Sequence, residues 1–260
     1  MAGQLLANER PWRWAAASQI GTAHIRNGTR KQDALRCFAP RFARPVLCAI
    51  VCDGAGSAPF GGQGASVICR TLTLALRAHY NDKPQLPSDG DIWTWIDQAR
   101  DYLALAAERR NIRRQAFAST LVMLIAAPDG FLVAHIGDGA VVARHKTSGW
   151  LALSWPENGE YASTTYFLTD DPMPRLRITR HDHDFDACAV FSDGIEDLAL
   201  DNAASIPHEP FFRSMMAPLD QALGDGNHAS LSESLGRFLD SDRVCGRTDD
   251  DKSLILASIK

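Results

Sequence analysis

Two hydrophobic periods alternate along this chain, and the switches between them mark its elements. Trp14 to His24 suits a strand that runs into a polar, Gly-rich turn. Leu35 to Phe38 and Val46 to Cys52 read as short strands. The second is apolar almost throughout, as a central strand buried on both faces would be. Val67, Leu72 and Leu76 then recur at helical spacing between Gly64 and Tyr80. Ile92 to Arg114 predicts a second helix, set off from the first by the Pro- and Gly-containing loop at 84–90.

A dense β section follows: Ala116 to Ala127, Phe131 to Ile136 and Val141 to His145. Pro128-Asp129-Gly130 between the first two is a hairpin signal. Residues 154–187 are polar and proline-containing and read as loops, with a strand near Arg175 to Thr179. Cys188 to Phe191 and Ser253 to Ile259 predict two more strands, and helices occupy much of 208–240. Helices grouped between runs of strands joined by hairpins imply an α+β layered architecture with mostly antiparallel sheet. No repeat, low-complexity tract or linker interrupts the 260 residues, so 1–260 reads as one domain.

Composition narrows the function classes. Hydrophobic residues make up 45% and charged residues 22%, as in an ordinary globular protein, and the formal charge of -4 argues against a nucleic-acid partner. Arg109-Arg110 and Arg113-Arg114 share their stretch with Asp101 and Glu108, which reads as a solvated helical face. The six cysteines include no C-x-x-C pair, and three lie in apolar runs, which implies reduced thiols and a cytoplasmic setting. Trp12 and Trp14 are not part of an apolar leader, and no stretch approaches the ~20 apolar residues of a membrane span.

The candidate chemistry sits in acidic turns. Asp53-Gly54, Gly137-Asp138-Gly139, Asp193-Gly194 and Asp249-Asp250-Asp251 read as turns after apolar strands, and Asp33 begins the strand at Leu35. A single Asp-Gly is ordinary turn chemistry. Four such turns in one chain can instead bring carboxylates to one sheet edge, where oxygen ligands suit magnesium or manganese. Two ions so held can bind phosphate oxygens and activate a water.

These segments resemble the motifs of the type 2C (PPM) metal-dependent Ser/Thr protein phosphatases, in their compact bacterial form. Gly21-Thr22-Ala23-His24 through Gly28 to Gln32-Asp33-Ala34 is similar to the opening motif. Val51-Cys52-Asp53-Gly54-Ala55-Gly56-Ser57 with Gly64-Ala65 is similar to the second. Ser119-Thr120-Leu121, His135-Ile136-Gly137-Asp138-Gly139, Ser192-Asp193-Gly194-Ile195 and Asp250-Asp251-Lys252-Ser253 complete the series in family order across 21–259.

The resemblance implies a four-layer α-β-β-α sandwich, two mostly antiparallel sheets flanked by helix pairs, with the metal site at one end. It implies two Mg2+ or Mn2+ ions held by Asp33, Asp53, Asp193 and Asp250 and by the carbonyl of Gly54. Asp138, with Asp193, matches the position for a weaker third ion. Attack on phosphorus would then come from water rather than a side chain. The implied partner is a phosphorylated protein, a cognate Ser/Thr kinase or its target.

Two positions depart from the family pattern. The usual acidic pair is here Gln32-Asp33, and the usual phosphate-binding arginine is Gly28. Arg26, Arg30 or Lys31 could supply the charge, with Arg26 favoured because a guanidinium grips two phosphate oxygens. His24 could donate a proton to the leaving alcohol, or serve as a structural hydrogen-bonding histidine. Gln32 favours a rival reading, a catalytically silent binding module; a small-metabolite phosphatase is another. Other chemistries fail on the residues. His181-Asp182-His183-Asp184 is followed by Phe185 where a zinc hydrolase needs Asp, and there is neither a G-x-S-x-G elbow nor a Gly-Lys-Ser/Thr phosphate loop.

Overall fold

The computed structural model describes residues 11–40, 45–157, 165–182 and 184–259. In chain order the elements are β1 (Trp12–Gln19), α1 (Thr22–Asn27), β2 (Ala34–Phe38), β3 (Leu47–Cys52), α2 (Gly61–Asp82) and α3 (Asp89–Glu108). Then come β4 (Leu121–Ala127), β5 (Gly130–Ile136), β6 (Ala140–His145), β7 (Gly149–Ser154), β8 (Arg177–His181) and β9 (Phe185–Phe191). The last part holds α4 (Glu196–Ala199), β10 (Leu200–Asp201), β11 (Ile206–Pro207), α5 (Glu209–Gln221), β12 (Gly226–Asn227), α6 (Ala229–Leu239), α7 (Asp242–Cys245) and β13 (Lys252–Ile259).

The strands form a six-stranded sheet in the order β12-β1-β13-β9-β6-β7 and a five-stranded sheet in the order β2-β3-β4-β5-β8. Every neighbouring pair in these sheets is antiparallel except β1 with the two-residue β12.

Alternation along β3 explains why its sequence has no polar residue. Leu47, Ala49 and Val51 point into a core between the sheets, shared with Trp12, Val190 and Ile255. Cys48, Ile50 and Cys52 point the other way, into a core with Ile68 and Leu72 of α2 and Ile92 and Leu103 of α3. A third core packs Phe212 and Met216 of α5 and Leu239 of α6 on Leu254 and Leu256 of β13. Three cores separate four layers, in the expected α-β-β-α order.

Several boundaries differ from the sequence expectation, each for a tertiary reason. The strand expected from Trp14 to His24 stops at Gln19, and His24 lies on α1. Gly21 and Ala23 there donate backbone hydrogen bonds to Asp251 Oδ1 and Asp249 O, partners at the far end of the chain. The helix expected to reach Arg114 ends at Glu108, just before Asn111 takes a φ of 54°. Arg114–Phe117 is a tight turn, so β4 begins at Leu121 rather than Ala116. Strand β7 was not anticipated, and the acidic turn 249–251 precedes β13 instead of following a strand. His181 ends β8, whereas His183 and residues 158–164 of the expected 154–187 loop lie outside the described residues. No helix among the described residues is long and apolar enough to cross a membrane.

Candidate metal centre

Strand register brings the acidic turns together. Ala34 faces Cys52, Leu121 faces Ile136, and Phe191 faces both Ala140 and Leu254. Asp33, Asp53, Asp138, Asp193 and Asp250 each lie within a few residues of those positions, at one end of both sheets. Asp53 is pinned through its backbone: its N–H donates to Thr120 Oγ1 at 3.1 Å, and its carbonyl accepts from Thr120 N at 2.8 Å. Gly54, the expected carbonyl ligand, passes so close to Gly61 that any Cβ there would collide with the Gly61 backbone. Gly137, at a φ of 101°, turns the chain out of β5 to present Asp138.

The carboxylates crowd one another. Asp53, Asp138 and Asp193 offer oxygen atoms that all lie within 4.8 Å of one another. Asp33 is buried, and its Oδ2 accepts from Ser192 Oγ at 2.8 Å. Burial, together with Asp251, pushes the Asp33 carboxyl up to about 6. Burial and then the neighbouring carboxylates Asp138, Asp250 and Asp33 push Asp193 up to about 8. Asp53 is held well above the ordinary carboxylate range by burial, then by Asp33, Asp193, Asp250 and Asp138. Asp138 is raised mainly by burial, although Thr165 Oγ1 donates to its Oδ2 at 2.7 Å. Asp250 is exposed at the rim, its Oδ1 accepting from Asp251 N at 2.7 Å.

A divalent cation fits this arrangement. Asp33 Oδ1, Asp138 Oδ1, Asp193 Oδ1 and Gln32 Oε1 are buried without a hydrogen-bond donor, and a buried oxygen in that state is costly unless something positive faces it. Every one of these groups is a hard oxygen ligand, the donor type that magnesium and manganese take. Cys52, the thiol nearest in sequence, is buried, and burial drives it well above its usual range.

The expected phosphate-handling residues lie on and after α1. His24 Nδ1 shares a hydrogen bond with Thr29 Oγ1 at 2.7 Å, and its Nε2 lies 3.9 Å from Asp251 Oδ2. Arg26 is exposed and pairs with Asp249 Oδ2 at 2.6 Å, next in sequence to the expected ligand Asp250. Lys31 is tied to Ser18 Oγ at 2.7 Å, whereas Arg30 lines an open groove with Gln32, Ser57 and Gln63.

Asp251, to which the sequence reading gave no role, organises this end of the molecule. It is 1% exposed, and its oxygens accept from Gly21 N at 2.7 Å, from Asp33 N at 3.1 Å and from Gln32 N. It thereby fixes the start of β2 and the position of Asp33, an expected ligand. Its sequence signals are a third aspartate in the turn before β13 and a place in the Asp250-Asp251-Lys252-Ser253 segment.

The sequence profile of the family described as Protein phosphatase 2C matches residues 20–240. Serine/threonine-protein phosphatase 3 of Escherichia coli K12 is 35% identical over 249 residues, covering 95% of this chain and 98% of that protein. The fold is similar to that of a crystallised bacterial serine phosphatase (TM-score 0.65, 16% identity, 95% of this chain and 97% of that one). It is also similar to the catalytic domain of the serine threonine protein phosphatase PstP, solved in complex with 2 manganese ions (TM-score 0.62, 15% identity, 95% of this chain and 98% of that one).

Proposed function

The chain belongs to the protein phosphatase 2C family, and from that premise we propose how its own residues carry out phosphoester hydrolysis. It is a metal-dependent protein serine/threonine phosphatase whose substrates are phosphorylated proteins and whose cofactors are two Mg2+ or Mn2+ ions. One observation carries the assignment of the site: Asp53, Asp138 and Asp193 offer oxygens within 4.8 Å of each other, and Asp138 and Asp193 each have a buried oxygen lacking any donor. Asp33, Asp53, Asp193, Asp250 and the Gly54 carbonyl are assigned to the two ions, and Asp138 with Asp193 to a weaker third.

When bound, the ions supply Lewis acidity and an activated water. Asp251 holds the Gln32-Asp33 backbone in place, and Ser192 orients Asp33 by donating to its Oδ2. Arg26 is assigned to the phosphate, which it reaches by giving up an exposed pair with Asp249 worth little in water. His24, positioned by Thr29, is assigned as proton donor to the leaving serine or threonine oxygen.

The rim supports large substrates over small metabolites. Gly56, Ser57 and Pro59 on one flank and Arg247, Asp249 and Asp250 on the other are exposed, which leaves the centre open among the described residues. The cysteines, none in a disulfide, support a reducing cytoplasm, and a Ser/Thr kinase or its target is the partner we assign. Hydrolysis of p-nitrophenyl phosphate and of a phosphothreonine peptide, with manganese and with excess chelator, tests the reading. Turnover that depends on manganese is expected for both. A protein that binds manganese yet turns over neither would be the silent module instead.

A further inference from the structure

Beside the metal centre, an acidic cleft runs into an apolar pocket, and one residue belongs to both. The cleft, about 480 Å³, is walled by Asp193, Asp197, Asp249 and Asp250, and Arg247 is its only cationic side chain. The pocket, about 290 Å³, is floored by Leu198 and by Phe211, Met215 and Phe238, which pack against the third core. Arg243 and Arg247 border it. Both arginines are exposed, and neither is among those that hold an ion pair within the described residues.

We propose that this pocket and its two arginines are a docking site for the substrate chain next to the phosphorylated residue, and that they select a segment carrying a bulky apolar side chain together with acidic ones. The inference rests on the phosphatase reading above. Charge complementarity fixes the occupant. An apolar pocket alone would take any hydrophobic side chain, but two unpaired guanidiniums at its mouth, with no carboxylate among the described residues that line it, favour carboxylates or a second phosphate there over lysine and arginine. Continuity fixes the direction. Arg247 stands in the same cleft as Asp193 and Asp250, so a chain leaving the metal centre on this side meets it before the pocket. The larger groove on the other flank, about 800 Å³, is lined by none of the clustered aspartates, and the ammonium of its Lys31 is engaged by Ser18.

The test uses one phosphothreonine peptide with a phenylalanine and two glutamates after the phosphorylated residue, and two sister peptides, one with lysines for the glutamates and one with alanine for the phenylalanine. At saturating manganese the glutamate peptide should have a KM about tenfold below the lysine peptide, the sum of two exposed ion pairs. The alanine peptide should lose several-fold. R243E/R247E, and R243E alone should the double variant not fold, should reverse the order of the two charged peptides. Equal KM values in the wild type, or an order unchanged in a folded variant, would overturn the proposal. So would a loss on p-nitrophenyl phosphate as large as that on the glutamate peptide, because Arg247 would then hold the scissile phosphate. Fluorescence anisotropy of the labelled, unphosphorylated glutamate peptide separates the two readings. Binding that vanishes in R243E/R247E supports the docking site even if no peptide is turned over, and that combination would count against the phosphatase reading alone.

Discussion

At Asp53, burial and four neighbouring carboxylates oppose ionisation, and bound cations would favour its charged form. Asp53→Asn keeps the shape and removes the charge. Turnover should fall on the order of 10²-fold or more, while the melting temperature in chelator should rise above that of the wild type; near-normal turnover would place the chemistry elsewhere. Gln32 presents the opposite case, a buried Oε1 with no donor and no charge. Gln32→Glu should lower the manganese concentration for half-maximal activity roughly tenfold, and an unchanged value would remove residue 32 from the metal shell. Arg26→Ala should raise the phosphopeptide KM by roughly two- to fivefold with kcat little altered, since Arg26 is exposed and its loss is one of ground-state binding. Equal, negligible effects from Arg26→Ala and Arg30→Ala would leave the phosphate to other groups. The aspartates were legible in the sequence because each adjoins an apolar strand and most carry a glycine. Asp251, Ser192 and Thr165 gave no comparable signal. Their partners lie 230, 159 and 27 positions away, a proximity that only the folded sheets create.

Among the elements, the central strands were the easiest to read, because β3 and β4 bury both faces and tolerate no polar residue. Helix α3 carries its own start signal, a capping box in which Ser88 and Asp91 satisfy each other's backbone N–H groups. Strand β7 was missed because exposed Leu151 and Ala152 and a register shift at Val141/Val142 break its alternation. Helix α1 is six residues long and is held by contacts with the turn before β13, which no local pattern announces. One buried side chain ties α3 to the approach to the metal centre. Arg100 is 6% exposed and donates to the carbonyls of Leu168, Asp170 and Pro172, fixing the segment that follows Thr165. Arg100→Ala strands three carbonyls, so we expect a loss of about 2–4 kcal/mol in urea unfolding. Thr165 should then hold Asp138 less firmly, with a higher manganese requirement as the readout. A variant as stable as the wild type would mean that the segment has other anchors.

On the scale of the whole molecule, the α-β-β-α sandwich converges acidic turns from both sheets at one end, and the metal-free fold bears that repulsion. Its consequence has a definite sign with pH. Asp33 at about 6 and Asp193 at about 8 hold their protons longer folded than the ordinary 3.8 of an unfolded chain, and Asp53 and Asp138 are shifted the same way. As pH rises above that ordinary value the unfolded chain releases these protons first, so the carboxylates progressively destabilise the fold until pH passes their folded values. Buried His135 acts in the opposite direction. Burial, then Arg177, lowers it to about 3, so it adds stability as pH climbs to the ordinary histidine value of 6.5 and has no further effect above it. His181, also lowered by burial, behaves likewise. The two influences therefore separate at about pH 6.5. Between about pH 6.5 and 8 the carboxylates alone remain among the shifted groups, and the melting temperature in excess chelator should fall across that window. Saturating manganese should flatten the fall, because bound cations replace the protons, and the gain in melting temperature on adding metal should grow with pH. Thermal melts at constant ionic strength, with and without manganese, make the comparison, and Asp53→Asn should show a shallower fall than the wild type. A wild-type melting temperature in chelator that stays level or rises from about pH 6.5 to 8 would show that these carboxylates are not strained when metal is absent.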